Sequence, residues 1–325
     1  MKILADLLPL LKKGRFLIQT HNFPDHDAVA SAFALQYFLG LHGIECELTY
    51  EGAIQRSSLQ ELIAFLDIAI EPASQRNIRK QDKIIIVDGC KGNKNVTDLI
   101  GNEIAVIDHH QVARPENVPF VDIRPEIGAC SSIIYSYFQE ASVAIPRSIA
   151  TALLTGIQVD TALMTRGVDH LDLSAYADLY TKADIGFVNS NLRNSIQEKD
   201  LSFYRNAIEK VRIQDAFAFC YFEEGCNQNL LGIIGDFFLA LQEVDFVFLC
   251  ANNIGQINCS ARSEQKYWNA GEVVQELLRG IGFGGGHADM AGGIIKNLSF
   301  FNPDDLFLKL SKLLAGFKKA YLSRE

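Results

Sequence analysis

Acidic residues and histidines gather at four places in this chain where an apolar run or a helical pattern ends. The first is Thr20-His21-Asn22-Phe23-Pro24-Asp25-His26-Asp27, directly after RFLIQT. The second is Asp88, which closes KIIIVD; the third is Asp108-His109-His110, which closes IAVID; the fourth is Asp160, in TGIQVDTAL. Taken singly, each reads as a turn or cap residue, and Asp27 is placed to be the N-cap of the helix that follows it. Taken together they suggest chemistry. In an open parallel sheet, ligands bind beyond the carboxyl ends of the strands, where the strand order reverses. Carboxylates gathered there without cations would repel one another and take up protons, and divalent metal ions remove that conflict. Oxygen and imidazole ligands without thiolate suit manganese, with Mg2+, Co2+ or Fe2+ as alternatives. In an extended segment Asp25 and Asp27 would point opposite ways and serve different ions.

The elements that must position these groups follow from patterning. RFLIQT, DAVASAFALQYFLGLHG, IECELTY, SSLQELIAFLDI, KIIIVDG and EIAVIDHH alternate strand with helix or turn, and Ile84-Ile85-Ile86-Val87 is apolar at consecutive positions. That is the pattern of a parallel sheet covered on both faces by helices. After Ile127 the pattern is mainly helical to about residue 213. FAFCYFE, VDFVFLCAN and QINCSARS then read as strands, the last two joined through Asn252-Asn253-Ile254-Gly255, and FNPDDLFLKLSKLLAGFKKAYL as a closing amphipathic helix. The expected architecture is α/β. It has an N-terminal parallel-sheet domain over residues 1–190, a linker helix over 191–213 and a smaller C-terminal α/β domain over 214–325, with the active site in the cleft between the domains.

With 325 residues, 48% of them hydrophobic and 21% charged, the chain has material for two cores. Its net charge of -9 argues against a broad basic surface for long nucleic acid. The seven cysteines form no CxxC pair and read as reduced, buried thiols, which points to the cytoplasm. The N-terminus lacks a signal-peptide pattern, and LLGIIGDFFLAL is too short and too acidic to span a membrane.

HxxPDxDA, an apolar run ending in Asp, DHH after another such run, and a later GIxxDT occur in that order. This series resembles the DHH phosphoesterase superfamily. The resemblance implies one metal held by His21, Asp25 and Asp88 and a second by Asp27, Asp88, His109 and Asp160, with Asp88 bridging. It implies that His110 faces the substrate, so that Asp88 and His110 are the catalytic residues. His26 stands where glycine is common in the family and is expected to be exposed.

Farther on, Gly282-Phe283-Gly284-Gly285-Gly286-His287 is similar to the GGGH motif of the DHH-associated C-terminal domain, and Ser260-Ala261-Arg262-Ser263 is another expected feature. By resemblance Arg262, His287 and a glycine-rich loop of Gly284, Gly285 and Gly286 hold a phosphate or terminal nucleotide. An arginine fork suits that task. The resemblance is to the compact nanoRNase-like group, and it implies cleavage of short oligonucleotides and of 3'-phosphoadenosine 5'-phosphate. Two departures complicate the substrate. The segment from Asp160 to Arg166 is closer to the DTxxFTxR form of cyclic-dinucleotide enzymes, which adds Arg166 to the substrate-binding set. Asp289 adds a carboxylate after His287. The alternatives are a cyclic-di-AMP or pApA phosphodiesterase and a nucleotide-binding regulatory protein without turnover. The implied partner is a short nucleotide substrate rather than a membrane or long nucleic acid, and a homodimer is among the assemblies open to the chain.

Overall fold

A computed structural model describes residues 3–93, 95–193, 196–296, 298 and 301–323. The chain divides into two compact units, Met1–Ser195 and Ile196–Glu325. Residues 194 and 195, inside the stretch expected to link the domains, lie outside the described residues.

The first unit runs α1 (Ile3–Leu7), β1 (Phe16–Gln19), α2 (His26–Leu41), β2 (Cys46–Tyr50), α3 (Ser57–Phe65), β3 (Ile70–Pro72), β4 (Lys83–Val87), β5 (Asn102–Asp108) and β6 (Phe120–Ile123). Four helices follow: α4 (Cys130–Glu140), α5 (Arg147–Asp160), α6 (His170–Tyr180) and α7 (Ile185–Arg193). The six strands form one parallel sheet in the order β3-β2-β1-β4-β5-β6. Connections leaving β1 move to one side of the sheet and those leaving β4 to the other, so the order reverses between these two neighbours. Right-handed crossovers therefore place the two sets of connections on opposite faces. On one face Ile18, Leu48, Ile85, Val87, Ala105 and Ile107 pack into the main core with the helices. On the other, Ile84, Ile86 and Val106 are covered by Cys90, Val96, Leu99, Val112 and Val118, from the irregular segments after β4 and β5.

The second unit comprises α8 (Leu201–Lys210), β7 (Arg212–Gln214), β8 (Phe217–Phe222), α9 (Gln228–Leu239), β9 (Phe246–Asn253), β10 (Gln256–Ser263), α10 (Ala270–Leu278), β11 (Gly282–Gly286), β12 (Met290–Ile295) and α11 (Pro303–Leu322). Its mixed sheet has the order β11-β12-β10-β9-β8-β7. Side chains alternate between faces as a pleated strand requires. Phe217, Phe219, Phe246 and Phe248 pack with α10 and α11, while Ala218, Cys220, Phe222, Val247 and Leu249 pack with α8 and α9. All seven cysteines are free and buried. No helix among the described residues is long and apolar enough to cross a membrane.

The expectation of a glycine-rich loop is corrected here. Gly282–Gly286 is a strand, paired antiparallel with β12. Glycine serves close packing rather than a free loop: a Cβ on Gly284 would lie 2.5 Å from Val274 Cγ1 and 2.6 Å from the Gly292 carbonyl oxygen. We expect Gly284→Val to destabilise the second unit by about 1–3 kcal/mol through overpacking. The change should appear as a lower urea midpoint, and an unaltered midpoint would contradict the packing described.

Candidate metal centre

The segment between β1 and α2 is tied down on both sides. Asn22 N–H donates to the Asn95 carbonyl at 2.6 Å, Phe23 N–H donates to the Glu51 carbonyl at 2.8 Å, and the Asn22 side chain accepts from Thr97 N–H at 3.1 Å. Helix α2 begins at His26, so the N-cap is Asp25, whose carboxylate accepts from Ala28 N–H at 3.1 Å. This corrects the placement of the cap at Asp27. Asp27 lies in the first helical turn and caps a different helix: its two oxygens accept from Cys130 N–H at 2.6 Å and Ser131 N–H at 2.9 Å, at the start of α4. Unpaired amides at a helix N-terminus favour an anion. Asp25 and Asp27 do face different partners, yet helical geometry rather than an extended segment separates them. Helix α5 must pass close by, and Gly156 permits it; a Cβ there would lie 2.8 Å from Asp27 Oδ1.

Asp88 follows β4 with φ +57 and is 1% exposed. Such a left-handed conformation is tolerated by Asp better than by bulkier residues and is a feature of functional sites. Around it, His21 Nε2 lies 3.6 Å from Asp88 Oδ2 and 3.8 Å from Asp25 Oδ1. His109 Nε2 lies 3.3 Å from Asp88 Oδ1, 3.2 Å from Asp160 Oδ2 and 4.0 Å from Asp27 Oδ2. The other ring nitrogens are held by the backbone: His21 Nδ1 donates to the Asn22 carbonyl at 2.9 Å and His109 Nδ1 to the Ile127 carbonyl at 3.2 Å. A carbonyl only accepts, so each Nδ1 carries hydrogen and each Nε2 is turned toward the carboxylates, the tautomer a metal ligand needs.

Asp108 had no role in the sequence reading, and the structure supplies one. Its Oδ1 accepts from the His110 backbone N–H at 3.1 Å and bonds His110 Nδ1 at 2.7 Å, orienting a ring that remains 28% exposed. The motif's repeated acid-base letters signalled this residue, but only the local turn reveals which histidine it holds.

Burial opposes charge on every group in the cluster, and the neighbours decide the outcome. Burial with the nearby Asp88 and Asp160 charges pushes Asp27 well above the ordinary carboxylate range, and burial with Asp25 raises Asp160. For Asp88, hydrogen bonding and attraction from His109 outweigh burial and lower it; His21, with help from Arg56, does the same for Asp25. Against burial, Asp25 and Asp88 hold His21 up at about 10, Asp160 and Asp88 hold His109 well up, and Asp108 and Asp88 raise His110. These opposed shifts mark a cluster whose buried negative charge calls for counter-charge, a role that divalent cations can take.

The donor set fits such ions. Ligand atoms of His21, Asp25 and Asp88 lie within 4.8 Å of one another, as do those of Asp27, His109 and Asp160, and those of Asp88, His109 and His110. Asp88 Oδ1 is buried and faces His109 Nε2 at 3.3 Å and His110 Nδ1 at 3.8 Å, so one oxygen is shared between two imidazoles.

Other expected residues fall elsewhere. His26 is buried, 2% exposed, against the expectation that it faces solvent; burial, with the Arg56 charge, lowers it to about 4. It occupies the first turn of α2, where the protein closes over it, and Arg56, beside Asp25 and His26, escaped the sequence reading because no motif marks it. Arg166 is half-buried, beyond a left-handed turn at Ala162, Leu163 and Met164. In the second unit Arg262 is held by Asp236 at 2.7 Å, Ser260 Oγ at 3.2 Å and the Ala261 carbonyl at 2.9 Å, with its side chain 13% exposed. His287 stands in the turn between β11 and β12, where its N–H donates to the Met290 carbonyl.

Comparison with known proteins places the whole. Residues 15–157 match the DHH family, N-terminal domain, and residues 214–315 match the DHHA1 domain. The chain belongs to the DHH phosphoesterase superfamily. It is 29% identical over 294 residues to an uncharacterised protein of Methanocaldococcus jannaschii, covering 89% of this chain and 60% of that one. It is 30% identical over 173 residues to a probable manganese-dependent inorganic pyrophosphatase of Streptococcus pyogenes, covering 51% of this chain and 56% of the relative. The matches thus span about three fifths or less of these curated relatives. The fold is shared with an exopolyphosphatase-related protein of Bacteroides fragilis, at a TM-score of 0.79 and 17% identity over 98% of this chain and 97% of the other.

The close passage of Gly156 over Asp27 yields a test. Gly156→Ala should weaken Mn2+ affinity about 10- to 100-fold, as loss of ligand support does, while leaving the far-ultraviolet spectrum unchanged. Calorimetric titration that finds wild-type affinity in the variant would show that Asp27 tolerates the displacement.

Proposed function

We propose that the protein is a metal-dependent phosphoesterase that hydrolyses short oligonucleotides and 3'-phosphoadenosine 5'-phosphate. The observation that carries this reading is the convergence of His21, Asp25, Asp27, Asp88, His109 and Asp160 into triads at the point where strand order reverses. His21, Asp25 and Asp88 would hold one divalent ion, and Asp27, Asp88, His109 and Asp160 a second, with Mn2+ favoured by the donor types and by the pyrophosphatase relative. When bound, such ions polarise phosphoryl oxygens and acidify the attacking water.

The chain's own groups supply the rest. Asp108 keeps His110 oriented through Nδ1, so the ring offers its opposite edge as a hydrogen-bond donor to a phosphoryl oxygen on which charge develops. Arg262, set by Asp236 and Ser260, and His287 with Gly284, Gly285 and Gly286 are assigned to a substrate phosphate away from the cut bond, and Arg166 to the substrate as well. The net charge of -9 disfavours a long polyanion track. A cytoplasmic location agrees with seven free, buried thiols.

The pyrophosphatase relative favours a second reading, hydrolysis of inorganic pyrophosphate. The DHHA1 domain, residues 214–315, argues for nucleotides instead, since its GGGH motif is the feature by which the chain resembles the nanoRNase-like group. A manganese-supplemented screen of pApA, cyclic-di-AMP, 3'-phosphoadenosine 5'-phosphate and pyrophosphate separates these outcomes. Release of nucleoside monophosphate separates an enzyme from a nucleotide-binding regulator.

Two further outcomes are expected. Asp88→Ala should abolish turnover, whereas Arg262→Ala should act mainly on KM, since Asp88 is assigned to both ions and Arg262 to binding; equal losses in kcat at unchanged KM would contradict that division. In single-turnover assays kcat/KM should be about tenfold or more higher for two- to four-nucleotide substrates than for a twenty-mer, and faster cleavage of the twenty-mer would point to a processive exonuclease.

A further inference from the structure

Phe23 stands between two of the candidate metal ligands and is 56% exposed, while Pro24 beside it is buried. Its backbone adopts φ +55, a conformation that bulky residues rarely take. Core packing does not account for an aromatic residue in that conformation, because Phe23 is more than half exposed. Single exposed aromatic residues are ordinary on protein surfaces. This one differs in being strained, pinned and placed at the site.

The pinning has two parts. Phe23 N–H is bonded to the Glu51 carbonyl at 2.8 Å. One flank of the ring rests on Gly52, where φ is +83 and a Cβ would come within 2.8 Å of ring atoms Cδ1 and Cε1. With that flank covered, the residue is still more than half exposed. Phe23 is two residues from His21 and two from Asp25, so its Cα lies within about 7 Å of each of theirs.

We infer that Phe23 is a specificity-determining residue whose ring stacks on the nucleobase adjoining the phosphate that is cut. An aromatic ring backed on one flank and more than half exposed is a surface on which a purine or pyrimidine face can pack, and every base offers such a face. Pyrophosphate has no group to place there. The inference rests on the phosphoesterase reading and narrows it to substrates that carry a base.

The test compares pApA with its abasic counterpart, with Mn2+ in excess, for the wild type and for Phe23→Leu, Phe23→Tyr and Phe23→Gly. The readout is the ratio of kcat/KM for the base-bearing to the abasic substrate. We expect Phe23→Leu to lower this ratio about tenfold and Phe23→Tyr to restore it. Phe23→Gly suits the positive φ, so it should lower the ratio without lowering the thermal midpoint. A purely structural role would depress both substrates in parallel, and an unchanged ratio in Phe23→Leu and Phe23→Gly overturns the inference while leaving the phosphoesterase reading intact. A wild type that turns over pyrophosphate alone, or no phosphate ester, overturns both.

Discussion

Like charges held together at low dielectric set the terms for the first unit. Asp25, Asp27, Asp88, Asp108 and Asp160 converge with three histidines where β1 and β4 lie side by side. Such a cluster would destabilise any fold that failed to provide counter-charge, because burial penalises each carboxylate and each carboxylate penalises the next. The structure answers in three ways. Asp27 draws on the amide groups at the start of α4, Asp108 on His110, and Asp25, Asp88 and Asp160 on the inward-facing nitrogens of His21 and His109.

The supports behind these groups explain why the unit needs its particular helices. Ile127, whose carbonyl fixes His109, precedes Gly128, whose N–H is bound by the buried Asp172 of α6 at 2.8 Å. Helix α4 presents its first amides to Asp27, and α5 brings Asp160 to His109 only because Gly156 lets it approach. The helices after residue 127 are therefore part of the site as well as cover for the sheet. A change in their packing moves ligand atoms, which links the main core to the chemistry.

The second unit solves a different problem. Its glycines allow β11 and β12 to lie tightly against each other and against α10, and Arg262 is packed beneath α9, where a Cβ at Gly232 would sit 2.6 Å from its Nη2. The same residue types that suggest an anion cradle are thus spent in large part on close backbone packing. Arg262 keeps its direction through Asp236, a partner 26 residues away in sequence that no local pattern reveals.

Much of this was legible in the chain itself. The apolar runs of β1, β4 and β5 and the acids and histidines that follow them marked both the parallel sheet and its functional edge, because strand periodicity and strand ends are local properties. The short edge strands β3 and β6 were not legible, since three or four residues carry too little pattern and depend on a neighbouring strand for their hydrogen bonds. His26 was expected in solvent and is buried; Asp27 was expected to cap its own helix and caps α4. The glycine run read as a loop and is a strand. In each case the error lay in surroundings supplied by other segments: the cover over His26, the helix end at Asp27 and the strand that pairs with the glycines. The sequence by itself determined which side chains could bind cations and at which strand ends they stand. Only the tertiary structure decided which oxygens face one another and which helix end binds Asp27, because those depend on contacts between segments a hundred residues apart.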